Sequence, residues 1–157
     1  MSVDRDERTK PQPDRTPGLE TDPRFPSGPW TGFWVQTHLG RQWMTLHLRF
    51  KDGKVAGDGV DSVGRFIFTG TYDLATGKCD LLKSYIGRHD VAYTGQNDDD
   101  GLWLWGVWQL ELPLERGGFH LWPAWEADPT SRKLKAERDV ATDEEVRIKM
   151  PALVESK

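Results

Sequence analysis

The chain has 157 residues, a net charge of −4 and 36% hydrophobic residues, enough for one domain with a real core. No apolar run approaches the ~20 residues of a membrane-spanning helix, and no basic block stands out, so neither a membrane nor nucleic acid is expected as partner. Cys79 is alone and cannot form an internal disulfide, and MSVDRDERTK lacks the apolar run of a secretory signal, so a cytoplasmic location is expected.

Residues 1–26 hold five prolines, eleven charges and one aromatic, Phe25. Such a stretch has too little apolar surface to offset its ordering entropy, which predicts a disordered arm. Residues 27–126 hold all eight Trp, all three Tyr and five of the six Phe. Gly, Asp and Asn clusters divide this segment into eight runs of high β-propensity: 29–36, 41–50, 54–61, 64–73, 78–86, 89–97, 102–110 and 117–123. The connections between them are short, and no helix-period segment intervenes. Consecutive strands joined so tightly form an antiparallel meander. Eight of them can close into an up-and-down barrel, whose interior is filled by side chains or holds one small ligand. An open sandwich is the competing architecture. Residues 127–157 have no aromatic and mixed charges, and read as a polar tail, either mobile or a short helix.

Strand alternation assigns faces. Met44, Leu46, Leu48 and Phe50 form one face of the second run, opposite Trp43, Thr45, His47 and Arg49. Phe66, Phe68, Gly70 and Tyr72 share a face of the fourth, and His89, Val91, Tyr93 and Gly95 a face of the sixth. In LWLWGVWQL, Trp108 faces inward with Leu104, while Trp103 and Trp105 face outward. Asp61, Lys83, Tyr85, His89 and Tyr93 converge near Trp108 and, with Trp30 of the first run, are the candidate ligand contacts in a cup at one barrel end. The alternative is a Lys–Asp pair and tyrosine hydroxyls closing one end of a filled barrel. Outward tryptophans need a cover, and Trp43, Trp103 and Trp105 are candidates for an interface, most simply with further copies of the chain. The tail or arm folding back over them is the alternative, and another partner the third.

The signatures in order resemble the avidin and streptavidin barrels. SGPW (27–30), DGKVAG (52–57), RFIFTGTYD (65–73), YTGQ (93–96) and VWQL (107–110) are similar to that family's strand motifs over roughly residues 27–110. The resemblance implies an eight-stranded barrel with a ligand site at one end and pairing through outer faces. It does not carry biotin chemistry with it. The family's polar first-strand positions fall at Gly32 and Gln36, and its third-strand tyrosine and serine at Gly59 and Asp61. Its fifth- and sixth-strand tryptophans fall at Leu82 and Tyr93; the seventh-strand one is kept as Trp108.

Other chemistry finds little support. His89 beside Asp90 could act in acid–base catalysis, but no nucleophile motif accompanies it. The four histidines show no metal spacing, so no metal or cofactor is expected, although His120 alone could ligate haem. NDDDG (97–101) lacks a calcium loop's ligand pattern and reads as a hairpin turn. The sequence thus predicts a non-enzymatic module holding a small molecule or peptide end near Trp108. A scaffolding barrel with a filled interior is the alternative, and an enzyme or haem-binding barrel the third reading.

Overall fold

The computed structural model describes residues 10–97 and 102–132. Eight antiparallel strands close a barrel in chain order: β1 (Gly28–Gln36), β2 (Gly40–Lys51), β3 (Lys54–Asp61), β4 (Arg65–Tyr72), β5 (Lys78–Tyr85), β6 (Asp90–Asn97), β7 (Leu104–Leu110) and β8 (Glu115–Pro123). Each predicted run becomes a strand, with ends shifted by at most two residues. Closure comes from β8 lying against β1, with Trp30 opposite Pro123 and Trp34 opposite Phe119. No sheet edge remains for other chains to pair with.

The period-two pattern determines what fills the barrel. Met44, Leu46, Leu48 and Phe50 of β2 are buried, and so are Phe66, Phe68 and Tyr72 of β4 and Val91 and Tyr93 of β6. The sheet is tightly coiled. A Cβ on Gly32 would lie 2.0 Å from the His120 carbonyl oxygen, and one on Gly59 would lie 2.4 Å from that of Thr45. Both positions therefore have backbone where the resembling family has polar side chains.

The two barrel ends differ. At the first end, residues 10–26 form no strand or helix, yet they are held against the barrel rather than free of it. Phe25 is fully buried, with its ring 4.9 Å from Tyr72 and 5.4 Å from Phe50. The Tyr72 hydroxyl donates to Glu20 at 2.5 Å, Glu20 N–H donates to the Phe50 carbonyl, and Asn97 donates to the Arg24 carbonyl. Composition over 26 residues hid this, because one aromatic and a handful of directed hydrogen bonds do the anchoring. The remainder of the predicted arm, residues 1–9, lies outside the described residues. So do residues 133–157 of the predicted tail, whose start forms a 3₁₀ turn at Pro129–Arg132. The second end carries the β1–β2, β3–β4, β5–β6 and β7–β8 hairpins and has a mouth.

Outside the barrel wall lies a second aromatic layer. Phe33 sits between Trp43, His120 and Trp122, with ring centroids 4.9, 5.1 and 6.1 Å away. Trp103 stacks on His120 at 27° and donates its indole N–H to His120 Nδ1 at 3.2 Å. Trp103 does point outward but is only 3% exposed, Trp105 is half-buried, and Trp43 is 50% exposed. Of the three rings proposed as an interface, Trp43 is the one on open surface. Trp103 is covered by this layer and Trp105 partly so, and the following segment is buried at Pro129 and Thr130.

Candidate functional site: an aromatic cup above a buried ion pair

The mouth opens into a cavity of about 220 Å³. Its wall is largely aromatic and aliphatic: Trp34, Tyr85, Val91, Tyr93, Trp108 and Leu110. Gln36, His89 and Glu115 supply polar groups, and Val63 completes the lining. Trp34 and Trp108 meet edge to face, 5.6 Å apart at 79°. The Trp108 indole N–H is committed to the Val35 carbonyl at 2.9 Å, so the ring offers a ligand its face and not a hydrogen bond. His89 is exposed, with its ring 5.2 Å from that of Tyr85.

Behind the cup lies the predicted Lys–Asp pair. The side chains of Lys83 and Asp61 are fully buried and 2.5 Å apart. Lys83 Nζ also donates to the Tyr93 hydroxyl at 3.1 Å and points at Met44 Sδ at 3.8 Å, which accounts for all three ammonium donors. Asp61 Oδ2 additionally accepts from Tyr85 at 2.6 Å and Trp34 at 3.1 Å. Its Oδ1 accepts from the backbone N–H groups of Val63 and Gly64. The ammonium also lies 4.4 Å from the Phe66 ring centre and 4.8 Å from that of Tyr85, a favourable cation–π setting.

Burial pushes the Lys83 ammonium down to about 8, against the hydrogen bond and charge of Asp61. Burial pushes Asp61 upward, but the hydrogen bonds from Lys83 and Tyr85 and the Lys83 charge outweigh it and hold the carboxyl below its usual range. Burial, reinforced by Asp61, holds the phenols of Tyr85 and Tyr93 well above their usual range. At neutral pH the floor is therefore an ion pair roofed by two neutral phenols. Every strong group in it already has a partner, so it is suited to holding the cup's shape rather than to proton transfer.

The structure thus brings Tyr85, Tyr93, Trp108 and His89 to the cavity. Asp61 and Lys83 stand one layer deeper, bonded to one another instead of lining the space. Trp30 is not at the cup. It is 1% exposed near the arm end, where its indole donates to the Pro26 carbonyl and its ring lies 5.9 Å from Phe50. Alternation identifies the face of a strand but not the depth along the barrel axis, and Trp30 and Trp34 share one face of β1. Trp34 is the aromatic wall residue missed, with Gln36, Val63, Val91, Leu110 and Glu115 beside it, and extending the alternation four positions along β1 finds Trp34. Among the described residues no group of three His, Cys, Asp or Glu is arranged to hold a metal ion. His120 is buried in the outer layer, and burial, with the nearby Arg41 charge, pushes its imidazole down to about 4.

No protein-family model, curated protein or solved structure matches the chain. The barrel is of the eight-stranded, antiparallel, calycin-like kind, and its function has to be argued from the site.

Proposed function

We propose that the protein is a non-enzymatic binding module, holding a small neutral molecule with a flat or aliphatic body, or a short peptide end, in the cup at Trp108. The observation that carries this reading is a cavity of about 220 Å³ walled by Trp34, Tyr85, Tyr93 and Trp108 at the end of the barrel opposite residues 10–26. The cup is smaller than the ~300 Å³ at which ordinary ligand pockets begin, which favours a compact ligand. The Lys83–Asp61 pair is neutral as a unit, so the floor favours neither an anion nor a cation. An avidin-like ancestry fits the strand order and Trp108. Biotin itself is disfavoured, because backbone fills the space at Gly32 and Gly59 where polar side chains would be needed. An enzyme built on Asp61, Lys83 or His89 is disfavoured too, since the first two are saturated by partners.

Native mass spectrometry of the gently purified protein tests this. An added mass on each subunit, lost from a folded Trp108→Ala variant, is expected. A bare subunit, or an adduct indifferent to Trp108→Ala, would favour the scaffolding reading, in which Trp43 engages a partner chain.

A further inference from the structure

Three of the four hairpins around the mouth share a triplet. The chain reads Leu39-Gly40-Arg41 at β1–β2, Val63-Gly64-Arg65 at β3–β4 and Ile86-Gly87-Arg88 at β5–β6. The β7–β8 hairpin reads Leu112-Pro113-Leu114-Glu115-Arg116. Each places an aliphatic residue in the turn and an arginine within two residues of the start of the returning strand. Leu112 is 90% exposed, Ile86 60%, Leu114 57% and Leu39 56%. Val63 is half-buried against the core. Among the described residues, the turns at the opposite end hold one exposed large hydrophobic side chain, Leu74 at 43%.

The order of the two residue types is informative. The apolar residues sit in the turns; Arg41, Arg65 and Arg116 follow on the first residues of the returning strands, and Arg88 lies in its turn. Arg65 and Arg88 are exposed, and Arg41 lies over the Phe33 ring at 4.4 Å. Asp90, Glu111 and Glu115 oppose the four arginines at this end, while Asp61 is neutralised by Lys83. A bilayer presents the complementary order, with acyl chains beneath an anionic phosphate layer. A bound peptide would need a continuous groove, whereas these are four separate tips around a mouth.

We propose that the mouth end docks peripherally on an anionic lipid surface. Leu39, Ile86, Leu112 and Leu114 enter the headgroup boundary, and Arg65, Arg88 and Arg116 meet the phosphates. The earlier expectation of no membrane partner rested on the lack of a spanning segment, which peripheral docking does not need. One consequence rests on the binding reading above: the cavity opens inside this ring, so an apolar ligand would enter from the bilayer without crossing water.

Co-sedimentation of the full chain with phosphatidylcholine vesicles, with and without phosphatidylglycerol, tests the proposal. Binding that requires phosphatidylglycerol and weakens with salt is expected. Ile86→Asp with Leu112→Asp, and separately Arg65→Glu with Arg88→Glu, should each reduce partitioning at least about tenfold. Leu74→Asp should leave it unchanged. These surface changes leave the core intact, which circular dichroism checks. No binding to phosphatidylglycerol vesicles at low salt, or an equal loss with Leu74→Asp, would overturn the proposal. A bare subunit in native mass spectrometry alongside intact vesicle binding would remove the ligand reading and leave the docking in place.

Discussion

Lys83 and Asp61 show how one side chain can matter more to a fold than its partner. Asp61 accepts five hydrogen bonds, from Lys83, Tyr85, Trp34 and two backbone N–H groups. Removing it strands a buried ammonium and frees two ring donors, so Asp61→Ala should cost about 3–5 kcal/mol. Lys83→Met leaves four of the five bonds to the carboxylate and should cost less, and urea unfolding of the two variants gives the ordering. Equal losses would mean that the charge pair alone, and not the network on Asp61, holds the floor. His120 contributes a pH dependence of its own. Its imidazole is held down to about 4 against an ordinary 6.5, first by burial and then by Arg41. Between those values the unfolded chain binds a proton that the folded chain refuses, so stability rises with pH across this window. Stability on the order of 3 kcal/mol is lost as pH falls from 6.5 toward about 4. His120→Gln keeps an acceptor for Trp103 and does not titrate, so its urea midpoint should be flatter with pH than that of the parent chain.

Residues 10–26 form no helix or strand, and they plug one end of the barrel. Their anchor, Phe25, is as buried as any strand residue, so Phe25→Ala should cost about 3–5 kcal/mol despite lying in irregular chain. Cys79 gives a local readout. It is 1% exposed beside Tyr72 in the β4–β5 register, and burial, with nearby Asp80, pushes its thiol up to about 12. Loosening the arm with Tyr72→Phe, which removes the bond to Glu20, should speed the reaction of Cys79 with a thiol reagent under native conditions. An unchanged rate would place the protection of Cys79 in the strands alone. The strands themselves were legible in sequence because alternation is dictated by a buried inner face: β2 buries Met44, Leu46, Leu48 and Phe50, and β4 buries Phe66, Phe68 and Tyr72. The plug was not legible, because a single aromatic acquires its weight only when a pocket formed by Phe50 and Tyr72 exists to receive it. The cup lay between these cases. Tyr93 and Trp108 follow from alternation, whereas the depth that separates Trp34 from Trp30, and the lining residues from Lys83, is set by how the strands tilt and pair around the whole barrel.

At the scale of the molecule, the chain wraps its barrel in a partial second shell, and this changes what the outer tryptophans can do. Trp103 and Trp122 are each 3% exposed, so within this layer the open ring is Trp43, which meets Phe33 at 4.9 Å and Trp122 at 6.2 Å while leaving half its area open. A large ring with half its surface in water is a candidate contact, and its support from two other rings makes it a rigid one. We therefore place any self-association of the chain on Trp43. The two tryptophans should separate by experiment. Trp43→Ser should shift sedimentation equilibrium toward the monomer while changing stability little. Trp103→Ser should instead lower stability by about 3 kcal/mol or more, because it removes a buried ring and leaves His120 without its stacked partner. A Trp43→Ser protein that sediments as the parent does, at concentrations where the parent associates, would move the contact elsewhere on the barrel. The outward-facing Val60, Ile67 and Leu82 of β3, β4 and β5 are then the next surface to test.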